Sequence, residues 1–142
     1  MHPSPVSSSA RRLRSAGAVF AGLLVNAALA HAVDAVLHAT GVYPPFGRPM
    51  ADSLFVLAAA YRAVFGVLGC LVAGLLAPAR PQAHAMALGA LGVVLGALGA
   101  AATWNAGPEF GPRWYPLSLV ALALPCAWLG GRMAERRRAQ AR

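Results

Sequence analysis

Four long apolar stretches restrict what this chain can fold into. They cover residues 15–39, 53–77, 83–104 and 114–133. A helix rises about 1.5 Å per residue, so about 20 apolar residues cross a hydrocarbon core of about 30 Å. Each stretch is therefore long enough to be a transmembrane helix. Proline and glycine are concentrated between the stretches, at 40–51 and 105–113, where a helix cannot continue.

Composition also indicates a membrane protein. Of the 142 residues, 58% are hydrophobic and 11% are charged, whereas soluble domains have about 25% charged residues. We expect an all-α membrane protein, a four-transmembrane-helix bundle over residues 15–133, whose partner is the lipid bilayer. Residues 1–14 are expected to form a disordered basic tail, because they begin with a polar, proline-containing run. Residues 134–142 form a second basic tail.

The arginines predict the orientation of the bundle, because positive charge is enriched in cytoplasmic loops. With the N-terminus inside, nine arginines lie on the inner side and two, Arg48 and Arg113, lie on the outer side. Both termini are therefore expected in the cytoplasm. The chain contains no lysine and is rich in alanine, which is typical of a GC-rich bacterial gene, so we expect the protein in a bacterial inner membrane. The net charge of +8 then reflects orientation signals, and we expect no nucleic-acid partner.

The first stretch has an alternative interpretation as a signal peptide. Basic residues precede an apolar run that contains Ala28-Leu29-Ala30, which resembles an A-x-A cleavage site. Apolar sequence continues beyond this site, so we expect an uncleaved span.

Two charges inside the first two spans are the candidate functional feature. Charged groups in hydrocarbon cost about 2.5–3.5 kcal/mol each on insertion scales, and they usually pair. Asp34 is expected about 10 Å and Arg62 about 15 Å below the outer membrane surface. Side chains lean toward the N-terminus of their own helix, which brings the two groups closer. We therefore predict an Asp34–Arg62 ion pair, beside Tyr61.

Other roles for this polar site remain open. Arg62 could reach the outer headgroups while Asp34 lies in a wet vestibule, or Asp34 could handle protons or cations. His31 and His38 flank Asp34 and are expected to hydrogen-bond its carboxylate. A metal is not expected, because a zinc site needs three or four ligands. His84 is expected on the cytoplasmic side and His2 lies in the N-terminal tail, so neither completes the set. No cofactor is expected either.

Glycines at helical spacing are expected to bring helices into close contact. The third span carries the clearest stripe, and we expect it to pack inside the bundle, with a dimer face as the alternative. The predicted packing glycines are Gly66, Gly69, Gly89, Gly92, Gly96 and Gly99.

No catalytic motif occurs in the sequence, so we do not expect an enzyme. Cys70 and Cys126 form no metal-binding spacing and are expected to be free, buried thiols.

Several short sequence segments resemble those of small four-span hypothetical membrane proteins of Gram-negative bacteria. These are 49–55 (PMADSLF), Tyr61-Arg62, 77–81 (APARP) and 124–131 (LPCAWLGG). The resemblance covers residues 15–133 and implies class and location, with no activity. Small multidrug transporters also have four spans, but they rely on an acid midway along the first helix, where this chain has Asn26.

These observations favour a structural or accessory membrane protein. The alternative is a small dimeric proton-coupled transporter that uses Asp34 and a neighbouring histidine. A homodimer and an unidentified membrane partner both remain open.

Overall fold

The computed structural model describes residues 8–141, which form four long α-helices. α1 spans Ser8–Ala39, α2 spans Asp52–Leu76, α3 spans Pro81–Thr103 and α4 spans Trp114–Gln140, and a short 3-10 turn covers Pro108–Phe110. No strand occurs within the described residues. Four segments of the chain are helical, long and apolar enough to cross a membrane. The predicted all-helical, multi-pass class is therefore confirmed.

The first and last helices, α1 and α4, extend beyond the apolar stretches of the sequence. α1 begins at Ser8, so residues 8–14 are helical where we expected a disordered tail, and α4 continues through the second basic tail to Gln140. Adding residues to an existing helix requires no new nucleus, and alanine, leucine and arginine are strong helix formers. Residues 1–7 and 142 of the predicted tails lie outside the described residues.

Small residues form the centre of the bundle, and large apolar side chains cover its outside. Ala73, Ala85 and Ala127 are 0% exposed. Phe20 and Leu98 are 59% and 62% exposed, which suits a hydrocarbon surrounding better than water. Since lipid provides no hydrophobic force between helices, such a bundle depends on close backbone approach.

The central helix of the bundle is α2, which packs against the other three helices, while α3 packs mainly on α4 and α1 mainly on α2. α1 and α3 touch only slightly, which leaves a groove between them. Arg14 and Arg138 line one recess, so the start of α1 and the end of α4 lie at the same end of the bundle. We call this the terminal end. Loops 40–51 and 104–113 lie at the other, loop end, where Tyr43 and Glu109 line a shared recess.

Most of the predicted packing glycines lie at helix contacts. A Cβ atom on Gly92 would be 3.5 Å from Ala123 Cβ, and one on Gly96 would be 2.9 Å from Val120 Cγ2, both on α4. The small-residue face of α3 is therefore used inside the bundle. The other contacts pair Gly89 with Ala127, Gly66 with Cys126 and Gly69 with Gly22.

Gly99 is the exception among these glycines. It is exposed, and nothing lies within 4 Å of the position of its Cβ, so the prediction that it packs is wrong. The contact stripe instead steps four residues from Gly96 to Ala100, which is 5% exposed. Inclined stripes of this spacing are usual where two helices cross at an angle.

Candidate functional site

Asp34 of α1 and Arg62 of α2 form an ion pair near the loop end of the bundle. Arg62 Nη2 lies 2.5 Å from Asp34 Oδ2, and the side chains of Arg62 and Asp34 are 33% and 26% exposed. Asp34 belongs to a stripe on α1 that recurs every four residues and includes the buried Ala18, Gly22 and Ala30. Because that stripe faces α2, the carboxylate is directed at the neighbouring helix. Arg62 Nε is also buried and has no hydrogen-bond partner among the described residues.

Two tyrosines extend this ion pair into a polar network. Tyr61 donates its hydroxyl proton to the second carboxylate oxygen of Asp34, Oδ1. The hydroxyl of Tyr43 lies 3.3 Å from the Tyr61 hydroxyl and 3.3 Å from the Leu54 carbonyl oxygen. The hydroxyl proton of Tyr61 is used in the hydrogen bond to Asp34. The hydroxyl of Tyr43 is therefore the donor in its contact with either Tyr61 or Leu54. Both oxygens of Asp34 thus accept a hydrogen bond.

Loop 40–51, at the loop end of the bundle, covers this network. Tyr43 is only 5% exposed, and its backbone N–H donates to the Leu37 carbonyl oxygen at 2.9 Å. His38 Nδ1 donates to the Pro44 carbonyl oxygen at 2.9 Å, and its ring lies 4.0 Å from the ring of Phe46. The loop is therefore attached both to the end of α1 and to the tyrosines below it.

Loop 104–113 contacts the same region through the ring of Phe55. Phe55 of α2 and Tyr115 of α4 have ring centroids 5.0 Å apart. Gly111 has a φ of +89° and lies against the Phe55 ring, where a Cβ would overlap it. A residue other than glycine is strained at this φ, so the close approach of loop and ring depends on glycine.

The histidines do not bind Asp34 as we expected. His31 Nδ1 donates to the Ala27 carbonyl oxygen, 2.8 Å away on its own helix, and His38 binds the loop. The carboxylate of Asp34 reaches across to α2, whereas both histidines find backbone carbonyl oxygens nearer to their own positions. The sequence placed the three residues correctly on one region of α1 but gave the wrong hydrogen-bond partners.

Two recesses flank the ion pair. A recess of about 240 Å³ at the loop end is lined by Asp34, Arg62, Tyr61 and Tyr43, among others. A second cavity of about 510 Å³ lies deeper among the four helices, and its walls include Arg62, His31 and Asn26. Arg62 is the residue that lines both, so the ion pair separates the two spaces.

Metal and thiol chemistry have little support in this region. Within residues 8–141 there is no group of three or more histidine, cysteine, aspartate or glutamate side chains that could hold a metal ion. Cys70 and Cys126 are free and buried. Cys126 Sγ donates to the Ala63 carbonyl oxygen at 3.4 Å, which links α4 to α2.

Two residues were not singled out from the sequence, namely Tyr43 in the polar network and Gly22 at the contact between α1 and α2. A tyrosine beside a proline-rich loop is typical of the membrane boundary, whereas Tyr43 is only 5% exposed and contacts Tyr61. Gly22 was not singled out, although it lies four residues before Asn26 and twelve before Asp34 on the same stripe of α1. A search at four-residue steps from Asp34 would have found Gly22.

Comparison of the chain with protein-family models, curated proteins and solved structures gives no match in any of the three. The fold and the polar site therefore carry the functional argument alone.

Proposed function

We propose that this chain is a small, non-enzymatic multi-pass protein of a bacterial inner membrane, with both termini in the cytoplasm and a structural or accessory role. The observation that carries this proposal is that Arg62 and Tyr61 occupy both oxygens of Asp34. An acid held in this way joins two helices, and taking up a proton would cost it the ion pair.

The arginine distribution supports the proposed orientation. The basic ends of α1 and α4 lie at the terminal end of the bundle, where Arg14 and Arg138 line one recess. The loop end carries Arg48 and Arg113. Two reporter fusions test this orientation. One reporter is active only in the cytoplasm and is fused after residue 142. The other is a phosphatase that is active only outside the cytoplasm and is inserted in loop 105–113. We expect both fusions to be active, and two inactive fusions contradict the orientation.

A double-mutant cycle tests the structural role of the pair. Asp34→Asn and Arg62→Gln should each lower the free energy of unfolding in detergent by about 1–3 kcal/mol, because each leaves a partly buried polar group without its partner. The double mutant should lose less than the sum, with a coupling energy of about 1 kcal/mol or more. Strict additivity contradicts a stabilising pair.

The control cycle uses Arg48→Gln and Asp52→Asn. These charges also lie at the loop end and are not part of an ion pair among the described residues, so their effects should add. Coupling of similar size in both cycles would mean that general electrostatics, and not the observed contact, produces the result.

A second candidate function, a dimeric proton-coupled transporter, is favoured by one observation. Asp34 lines the 240 Å³ recess, and its partner Arg62 also lines the 510 Å³ cavity. However, the histidines are bound to backbone carbonyls. Three of the four α3 glycines that could form a dimer face, Gly89, Gly92 and Gly96, already contact α4. Proton flux into liposomes that is lost in Asp34→Asn, together with a dimer in detergent, would favour transport. A monomer without flux favours the structural role.

A further inference from the structure

A basic recess at the terminal end of the bundle is not explained by the ion pair or by helix packing. It has a volume of about 470 Å³ and lies among α1, the end of α2 and the last turns of α4. Its walls include Arg14, Gly17, Ala77 and Arg138. No carboxylate lines it, so two positive charges face a space that contains no counter-charge from the described residues.

The guanidinium of Arg138 is held in place at the wall of this recess. Its Nη2 donates to the Ala77 carbonyl oxygen at 2.6 Å, at the C-terminal end of α2, where backbone carbonyls lack helical partners. This bond uses one of five N–H donors and leaves the others for a second acceptor. Arg14 is exposed on the opposite helix. The pair is therefore suited to an anion with several oxygen atoms.

An apolar groove begins beside the basic recess. It has a volume of about 840 Å³, runs between α1 and α3, and has walls that include Leu13, Phe20 and Leu91. Gly17 lines both the groove and the recess, and nothing lies within 4 Å of the position of its Cβ. Gly17 therefore leaves space at the surface of α1, through which a hydrocarbon chain can pass from the recess to the groove.

We propose that these two spaces form a binding site for an anionic phospholipid. The phosphate lies between Arg14 and Arg138, and one acyl chain passes over Gly17 into the groove between α1 and α3. Basic pockets between transmembrane helices on the cytoplasmic side suit anionic headgroups. This inference rests on the membrane location and orientation proposed above, and it names the lipid that would accompany the protein there.

The test measures lipid retained by the purified full-length chain in a neutral detergent. The probes are phosphatidylglycerol, phosphatidylcholine with the same acyl chains, and inorganic phosphate. A neutral micelle has no charged surface that would attract all the arginines of the protein. Contact at the proposed site therefore determines how much lipid is retained. We expect phosphatidylglycerol to be retained and to raise the unfolding temperature, and the other two probes to have much smaller effects.

Two variant pairs locate the site. Arg14→Gln with Arg138→Gln should weaken retention of phosphatidylglycerol by about fivefold for each arginine removed. Arg136→Gln with Arg137→Gln removes the same charge from exposed positions near the same end, and should leave retention within about twofold of the original. Equal losses in both pairs, or no loss in the first, overturn the proposal. Protection by inorganic phosphate equal to that by the lipid also overturns it.

The acyl chain is tested separately through Gly17. The Cβ of Gly17→Leu would lie where nothing is within 4 Å, so the fold should be retained while retention of phosphatidylglycerol falls. Gly99→Leu is the matched control, because it also has nothing within 4 Å but lies near the loop end. Unchanged retention in Gly17→Leu overturns the proposed chain path. The reporter fusions and the Asp34–Arg62 cycle do not involve this site, so a failure here is distinguishable from failure of the proposed function.

Discussion

The contact between α1 and α2 makes a quantitative prediction about Gly69. A Cβ atom at this position would lie 2.6 Å from the Gly22 carbonyl oxygen and 2.9 Å from Asn26 Cβ. The reverse also holds, since a Cβ on Gly22 would lie 2.8 Å from Ala73 Cβ and would overlap the Gly69 carbonyl oxygen. Two glycines therefore face each other at the closest approach of the two helices. Gly69→Ala inserts one methyl group into this contact.

The expected cost follows from the distances. Ordinary van der Waals contact begins at 3.4 Å, so α1 and α2 must separate locally by about 0.8 Å, a gap that forfeits a quarter to a half of each contact's attraction. Overpacking of this kind costs about 1–3 kcal/mol. Replacing glycine by alanine inside a helix returns about 0.5–1 kcal/mol. We expect Gly69→Ala to lower the free energy of unfolding by about 1–2 kcal/mol.

Gly66→Ala is the matched control for Gly69→Ala. Gly66 lies one turn away on the same helix, and its Cβ would be 3.5 Å from Cys126 Cβ, which is ordinary contact. This variant should be neutral or more stable by about 0.5–1 kcal/mol, because only the helix-propensity gain remains. The two variants thus differ in the sign of their effect. Unfolding of the purified chain by sodium dodecyl sulfate in mixed micelles, followed by circular dichroism, measures both.

One result would refute this reasoning. If Gly69→Ala is as stable as Gly66→Ala, then either the helices are not in contact at Gly22 and Gly69 or the interface yields without cost. A Gly22→Ala variant separates these explanations, because it meets backbone and side-chain atoms from both α2 and α3. Stability of Gly22→Ala equal to that of the original chain would mean that this contact does not hold the helices together.

Three further predictions concern the loop end and the core. Gly111→Ala should lower stability by about 2 kcal/mol, through its φ of +89° and overlap with the Phe55 ring, as measured by thermal unfolding. Tyr43→Phe should cost about 1 kcal/mol by removing one hydroxyl from the polar network, measured in the same way. Cys70 and Cys126 are 4% and 8% exposed, so a membrane-permeant maleimide should label them only as fast as the bundle opens.

Each of these predictions has a contrary outcome. Gly47 also has a positive φ but nothing within 4 Å of its Cβ position, so Gly47→Ala should cost less than Gly111→Ala. Equal losses would mean that the Phe55 contact is unimportant. If Tyr43→Phe is neutral, the hydroxyl contacts of 3.3 Å add no stability. Fast maleimide labelling in undenatured protein would contradict burial of the thiols.

The helices and the ion pair could be predicted because each depends on the positions of residues along the sequence. Apolar length determines where a chain can cross a bilayer. The positions of Asp34 and Arg62 then determine their depths at 1.5 Å per residue, and the structure places them in contact. Tyr61, adjacent to Arg62 in the sequence, follows from the same argument.

The hydrogen bonds around that pair could not be predicted, because they depend on the path of a loop. Tyr43 lies at a boundary by sequence but turns inward, since its backbone N–H binds Leu37 at the end of α1. His38 follows the loop for the same reason and binds Pro44. Depth and helical face do not specify either contact.

The distribution of contacts along α1 gives the ion pair a role in selecting the register of α1 on α2. The stripe facing α2 contains Ala18, Gly22, Asn26, Ala30 and Asp34 at four-residue steps. If α1 slipped along α2 by one turn, about 5.4 Å, Ala18 or Asn26 would replace Gly22 opposite Gly69, with an overpacking cost of about 1–3 kcal/mol. Asp34 would then be a full turn away from Arg62, and both charges would be unpaired in or near hydrocarbon. Buried ionic groups are best attested as devices that select one register. We infer that the glycine contact allows α1 to approach α2, and that the Asp34–Arg62 pair acts with this contact to select one position of α1 along α2.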